Sequence, residues 1–178
     1  MVDRVEKALD VLHQIAERDL TPTPRDAEDD GLTPAQIRVL RHVHLHKRPS
    51  VRSIADGLMV SPPAATQLVN KLVDKGLVER SERKEDRRAV DVRLTPRGRK
   101  LSRRLLNDRR RRLSRLLARM PARSQQELAR GLEAFLFATL SDEDRIEGAC
   151  LRCGKGHAGH CPVNEASHRI LGSERAPV

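Results

Sequence analysis

The sequence predicts a mainly α-helical protein with one short β-hairpin, and three observations support this. Only two aromatic residues, Phe135 and Phe137, occur among the 178 residues, so Leu, Val, Ile and Ala must build the core, which suits helices. Several segments repeat apolar residues at helical spacing. One segment, 90–94, alternates apolar and polar residues with the period of a half-exposed strand.

The N-terminal segment, residues 1–30, is predicted to hold one amphipathic helix and an acidic link. The helix is expected over residues 3–19 and ends before the prolines at 22 and 24. A second helix is expected to begin at Thr33, a good N-cap, with Pro34 at the first helical position. The apolar stripe of the first helix consists of Val5, Leu9, Leu12, Ile15 and Ala16.

Residues 31–96 are predicted to form one winged helix-turn-helix lobe. Ser50 and Ser61 are placed to cap two short helices that a tight turn at 59–61 joins. A hairpin follows, with strands at 77–80 and 90–94 and a charged tip between them. The inward face of the second of these two helices is predicted to be Ala65, Leu68, Val69, Leu72 and Val73. The outward face is predicted to be Pro63, Thr66, Gln67, Asn70 and Lys71.

Residues 97–141 are predicted to form two further helices, over about 97–119 and 124–140. Like the N-terminal helix, they carry apolar stripes but have no obvious place in the compact lobe. Isolated helices are only marginally stable in water, so these stripes should pack on one another or on a second subunit. We therefore expect a homodimer whose paired lobes match two operator half-sites.

Positive charge is concentrated in one part of the chain. The net charge of the whole chain is +10, yet residues 83–123 alone contain seventeen Lys and Arg against four acids. Such a zone attracts a polyphosphate backbone, although a solvated helix face or a membrane-surface patch has the same composition. No apolar run reaches the ~20 residues that a membrane span needs, and no signal-peptide core is visible, so a cytoplasmic, nucleoid-associated protein is expected.

With these elements in place, the chain resembles the MarR family of bacterial transcriptional regulators over roughly residues 3–140. The similarity rests on the segments 32–36, 60–69 and 75–80, and on a wing signature. That signature is Asp86-Arg87-Arg88 followed, after five residues, by Leu94-Thr95-Pro96 and Gly98. The resemblance implies a dimer that binds a pseudo-palindromic duplex DNA operator, usually as a repressor. It also implies a small-molecule effector, which no residue identifies.

The resemblance also assigns candidate DNA contacts. Ser61, Pro63, Thr66, Gln67 and Asn70 would face the major groove, where Gln and Asn can pair with adenine edges and Thr can meet a thymine methyl. Lys71 lies on the same face. On the wing, Arg88 would enter the minor groove, while Arg83, Lys84 and Arg87 would contact phosphate. The apolar run 62–64 removes donors, so readout of DNA shape should carry more weight.

The C-terminal segment, residues 142–178, is predicted to be a Cys/His-rich tail with a metal site. The spacing C-x2-C-x3-H-x3-C fits a tetrahedral zinc site, and glycines at 154, 156 and 159 would let the loop curl around the ion. His160 is an alternative fourth ligand. An iron-sulfur cluster, redox-reactive thiols and a tail without metal remain open. The expected ligands are Cys150, Cys153, His157 and Cys161.

Other classes of function fit the sequence less well. No nucleophile, acid and base constellation and no phosphate-binding Gly loop is visible, so an enzyme is not expected. An RNA-binding or ribosome-associated winged-helix protein with a zinc element is the alternative, weakened by the lack of aromatic stacking residues near the cysteines. His42, His44 and His46 alternate along a helix, point to different faces and are expected to be surface or packed residues.

Overall fold

A computed structural model of the protein describes residues 1–20, 31–46, 49–82, 90–153 and 161–172. Within these ranges the chain is mostly helical, with one antiparallel two-stranded sheet. The mainly α fold with a two-stranded wing is thus confirmed. The elements in order are α1 (Val2–Ile15) with a π-helical turn (Ala16–Leu20), α2 (Pro34–Leu45), α3 (Val51–Leu58), α4 (Pro62–Asp74), β1 (Val78–Glu82), β2 (Val90–Leu94), α5 (Pro96–Leu117), α6 (Ala122–Thr139), α7 (Glu143–Cys153) and α8 (Pro162–Leu171).

Side chains at the N-cap position fix where the helices of the lobe begin. Thr33 and Gln36 form a reciprocal capping box: the amide of Thr33 donates to Gln36 Oε1 at 2.9 Å, and the amide of Gln36 donates to Thr33 Oγ1 at 3.3 Å. Ser50 Oγ accepts from the amide of Ser53 at 3.1 Å, which starts α3. Proline then follows the N-cap in α2, α4 and α5, where its missing N–H costs nothing.

One apolar core holds α2, α3, α4, the hairpin and the first turns of α5 together. Aliphatic side chains build it, as the near absence of aromatic residues predicts. Burying one such side chain contributes about 2 kcal/mol, so the lobe has an adequate core of its own. Its fully buried members include Leu40, Ile54, Val69, Leu77 and Val92.

The wing is an antiparallel ladder in which Val78 pairs with Leu94 and Glu82 with Val90. The chain before α3 adds to the other edge of β2, since the amide of Val92 donates to the carbonyl of Pro49 at 2.9 Å. The base of the wing is therefore fixed to the loop between α2 and α3. β2 is buried at its centre, where both Asp91 and Val92 are fully covered.

The C-terminal segment contains two helices in addition to its cysteines. α7 packs against α3, and α8 packs against both α7 and α6. Leu140, Ile146 and Val163 form a second apolar cluster there, and the guanidinium of Arg169 lies 4.7 Å from the ring centre of Phe137. Residues 143–153 and 161–172 are thus folded onto the rest of the chain.

No helix in the described ranges is long and apolar enough to cross a membrane.

Candidate nucleic-acid interface

The turn between α3 and α4 sets how α4 leaves the lobe. Met59 adopts a left-handed conformation, with φ 56°, and its amide donates to the carbonyl of Asp56. Val60 then donates to Ala55, and Ser61 Oγ accepts from the amide of Ala64 at 3.3 Å, which starts α4. The left-handed residue is an exposed Met, so the turn carries no glycine that could have marked it in the sequence.

The inward face of α4 is largely as predicted. Ala65, Val69 and Leu72 are fully buried, and Leu68 is half-buried against the same core. Val73 is the exception, because 37% of it is exposed, so its predicted burial is wrong. Neighbouring helix residues point about 100° apart, and Leu72 already occupies the core position at this end of the helix.

The outward face of α4 presents the predicted groove residues together. Ser61, Pro63, Gln67, Asn70 and Lys71 are exposed, and Thr66 is half-buried. The hydroxyl of Thr66 donates to the carbonyl of Pro62 at 2.9 Å, so this donor is already used within the helix. The methyl group of Thr66 remains as its contribution to a base contact. The row of polar side chains matches what the major groove reads.

The end of α4 is joined to the start of α5 through backbone atoms. Gly76 has φ 65°, and its carbonyl accepts a hydrogen bond from Thr95 Oγ1 at 2.7 Å. The amide of Thr95 donates to Leu77 at 3.1 Å, and the same Thr95 hydroxyl caps α5 by accepting from the amide of Gly98 at 3.0 Å. The Leu-Thr-Pro and Gly part of the wing signature therefore joins the two helices.

The wing residues Arg83, Lys84, Arg87 and Arg88 lie outside the described residues, as does Asp86. The strands on either side of them are described, and Glu82 pairs with Val90 at that end of the ladder.

His42 on α2 and His46, which follows α2, lie side by side, and the His42 ring is next to Gly57 on α3. The rings of His42 and His46 stack with centroids 3.8 Å apart, and both residues are buried. Burial lowers the pKa of His42 to about 4, and the charges of His46 and Arg41 act in the same direction. The sequence expectation that these rings do not converge therefore fails for this pair, since an i, i+4 spacing brings side chains together on a helix.

The predicted metal ligands are only partly within the described residues. Cys150 is buried on α7 in the second apolar cluster, Cys161 packs against that cluster before α8, and Cys153 ends α7. His157 and His160 lie outside the described residues. Where the structure describes side chains, no three His, Cys, Asp or Glu residues lie close enough to hold a metal ion.

Cys153 lies within electrostatic reach of α2. Burial lowers the pKa of Arg41, the charge of Arg109 lowers it further, and Cys153 acts in the opposite direction.

The capped pair α3 and α4, with the exposed polar face of α4 and the adjacent two-stranded wing, defines a winged helix-turn-helix. Residues 30–89 match the family model described as the MarR family. Over these residues the chain is therefore similar to the MarR family.

Three proteins illustrate the similarity. MdtR of Bacillus subtilis (strain 168), an HTH-type transcriptional repressor, is 38% identical over 71 residues, which are 40% of this chain and 46% of MdtR. The chain thus aligns with less than half of the length of MdtR. The crystal structure of RV1404 from Mycobacterium tuberculosis has a TM-score of 0.66 at 27% identity, covering 77% of this chain and 92% of that one. A MarR transcriptional regulator from Methanosarcina mazei Go1, at 23% identity and a TM-score of 0.59 over 75% and 94%, shares the fold.

Proposed function

We propose that this chain is a sequence-specific regulator that binds a pseudo-palindromic duplex DNA operator on the nucleoid. The observation that carries the proposal is the exposed polar face of α4 opposite the face that buries Ala65, Val69 and Leu72. Gln67 and Asn70 stand free of the lobe, and both side chains can bond adenine bidentately in the major groove. The matched family consists of transcription regulators and not of enzymes, in keeping with this function.

A homodimer is part of the proposal because two helices leave their apolar faces uncovered. α1 has no buried residue, and Leu9 and Leu12 are each at least 40% exposed. α6 exposes Leu132 and Phe135 to a similar degree. A second copy of the chain would cover both faces and place two copies of α4 on one side, as a two-fold operator requires.

The charge of α5 supports association with DNA. Residues 96–117, which form α5, contain ten Lys and Arg and one acid, Asp108, so this helix alone carries a net charge of +9. Binding should therefore weaken steeply as salt rises, because each neutralised phosphate releases counterions. The wing residues Arg83, Lys84, Arg87 and Arg88 remain proposed phosphate and minor-groove contacts.

Repression is the proposed direction of regulation. MdtR, which is 38% identical to this chain over 71 residues, is a transcriptional repressor. A repressor acts by occupying its operator. A compact lobe that exposes α4 to the major groove can do this, and it needs no catalytic site and no site that binds RNA polymerase.

The test is binding to an operator selected from a random duplex library, measured by fluorescence anisotropy. Gln67→Ala and Asn70→Ala should each weaken operator binding by at least about fivefold, since a bidentate base contact is worth about 1–3 kcal/mol. Gln126→Ala removes the same group from an exposed site on α6 and should leave affinity unchanged. Tighter binding of single-stranded RNA than of any duplex would reject the proposal in favour of an RNA-binding protein.

For the C-terminal segment we propose a zinc site formed by Cys150, Cys153, His157 and Cys161, which stabilises the segment or senses metal or redox state. The ligand spacing and the shared apolar cluster of Cys150 and Cys161 support it. Metal analysis of protein purified without air should find one zinc per chain, lost in Cys161→Ser and kept in His168→Gln. A broad visible absorption band would show that the ligands hold an iron-sulfur cluster instead of zinc. If the purified protein contains no metal, the proposal of a metal site is wrong.

A further inference from the structure

The described part of the chain has two apolar cores, and these share no residue. The first core holds α2, α3, α4, the hairpin and the start of α5 together. The second core joins the end of α6 to α7 and α8: Ile146 is fully buried there, with Leu140, Val163 and Ala166 around it. The chain thus forms two bodies, the lobe with α5 and a C-terminal body of α6, α7 and α8.

Polar contacts fix α7 and α8 to α6 within the C-terminal body. Asp142 Oδ1 accepts from the amide of Arg145 at 2.9 Å, at the start of α7. The guanidinium of Arg145 donates to the carbonyl of Thr139 at 3.2 Å, in the last turn of α6. Arg169 of α8 lies over the ring of Phe137 of α6. These contacts set the direction of α7 relative to α6.

The two bodies touch where α7 packs against α3. α3 in turn packs on α4, and Ile54 of α3 and Val69 of α4 are both fully buried in the core of the lobe. At the end of α7, Cys153 lies within electrostatic reach of Arg41 on α2. The C-terminal body therefore contacts the lobe at the helix next to α4, the helix proposed to enter the major groove.

The other connection between the two bodies is the short turn between α5 and α6, residues 118–121. α5 has 22 residues and is about 33 Å long, so this turn lies one helix length away from the lobe. In the described residues α6 packs on α8, and its contacts with α5 are sparse. Because a turn alone acts as a hinge, the contact of α7 with α3 is what fixes the angle between α6 and the lobe.

We propose that the docking of α7 on α3 sets the distance between the two copies of α4 in the dimer, and with it the half-site spacing that the protein accepts. This inference rests on the proposed function, in which α6 joins two copies of the chain on an operator. α7 is a positioning helix and touches no DNA itself. One base pair adds about 3.4 Å and turns the duplex by roughly 34°, so a lobe that cannot swing rejects an operator that is one base pair longer.

The experiment measures how strongly the full-length protein discriminates between half-site spacings. Fluorescence anisotropy compares the selected operator with two others, in which one base pair is added or removed between the half-sites. The wild type should bind each altered operator at least tenfold more weakly. Ile146→Ala leaves a cavity in the second core and loosens α7 without changing the core of the lobe. This variant should bind the altered operators within about threefold of the selected one.

Ile170→Ala is the matched control, since it removes the same atoms from a side chain of α8 that is 42% exposed. It should discriminate between the operators as the wild type does. Val163→Ala is a milder second variant of the same core, used if Ile146→Ala does not fold. Hydrogen exchange shows whether α7 is loosened while α3 and α4 stay protected, and light scattering shows whether each variant remains a dimer.

A variant with a loosened α7 that remains a dimer and accepts all three spacings supports the inference. The inference is overturned if such a variant rejects the altered operators as strongly as the wild type does, or if Ile170→Ala accepts them. It is also overturned if loosening α7 produces a monomer, because α7 would then act on dimerisation and not on spacing. If the wild type binds no duplex at all, the proposed function is wrong, and this inference is wrong with it.

Discussion

Gly98 in the first turn of α5 lies directly against the carbonyl oxygen of Leu77, which is three residues beyond the end of α4. A Cβ atom on Gly98 would lie 1.9 Å from that oxygen, far inside any real contact. The contact is part of the backbone junction through which Thr95 joins the two helices. A glycine is therefore required here for space.

Gly98→Ala should destabilise the protein by about 3 kcal/mol, because the backbone of Leu77 cannot move without opening the junction. The midpoint of urea unfolding measures this. Gly131→Ala on α6 is the matched control: apart from the chain neighbours and the backbone of its own helix, no described atom lies within 4 Å of its would-be Cβ, and helix propensity predicts a gain of about 0.8–1.0 kcal/mol. Equal unfolding midpoints for Gly98→Ala and the wild type would contradict this prediction and would show that the backbone at Leu77 can move without loss of stability.

The buried pair of histidines predicts a loss of stability in mild acid. The pKa of His42 is lowered from 6.5 to about 4, so between these values the unfolded chain takes up a proton that the folded chain does not. Stability should be constant above pH 6.5 and should fall by about 2 kcal/mol towards pH 4, allowing for partial solvent screening.

Urea unfolding at pH 7.5, 5.5 and 4.5 measures this loss. His42→Gln should remove most of the slope, whereas His13→Gln, at an exposed histidine of α1, should keep it. Gly57 on α3 presses against the His42 ring, with 2.3 Å between a would-be Cβ and the nearest ring carbon, so Gly57→Ala should displace the ring. If the free energy of unfolding of His42→Gln depends on pH as that of the wild type does, groups other than His42 cause the loss of stability in acid.

The uncovered face of α6 predicts that one charge abolishes dimerisation. Leu132→Asp places a carboxylate in the middle of the proposed interface, where it would be buried without a partner. Light scattering after size exclusion should change from a dimer to a monomer of 20.1 kDa. Glu133→Gln, at the next and also exposed position, should remain dimeric. If the Leu132→Asp variant is still a dimer, the dimer interface lies on a surface other than this face of α6.

Ser61 allows capping and DNA contact to be separated. Ser61→Ala removes the side chain that accepts from the amide of Ala64 and should cost about 1 kcal/mol of stability. Ser61→Asp keeps an N-cap acceptor and should retain stability, yet its carboxylate would repel phosphate and weaken operator binding at least tenfold. If both variants bind DNA as the wild type does, Ser61 lies outside the DNA interface.

The lobe could be predicted from the sequence because its helix starts carry local signals. Thr33, Ser50, Ser61 and Thr95 each accept a hydrogen bond from the amide three residues on, and such caps depend only on neighbouring residues. The predicted burial of Val73 was wrong because the spacing of apolar residues along α4 does not decide which of two adjacent residues, Leu72 or Val73, packs into the core.

The features that the sequence did not predict depend on contacts between distant segments. α7 and α8 have short apolar patterns among cysteines, and their cluster includes Phe137 and Leu140 from α6. His44 on α2 and Arg103 on α5 line one cleft beside β2, although they are 59 positions apart in the chain. No local spacing marks such a meeting.

Because Leu77 and Gly98 are in direct contact, α5 acts as a lever attached to α4, the helix proposed to enter the major groove. α5 has 22 residues and is therefore about 33 Å long. If α4 and α5 turn as one body, a tilt of about 5° at one end moves the other end by roughly 3 Å, close to the rise of one base pair. In a dimer held together at the far ends of α5, a change of a few degrees in the tilt of α5 would change the spacing of the two copies of α4, so that they no longer match the spacing of the operator half-sites.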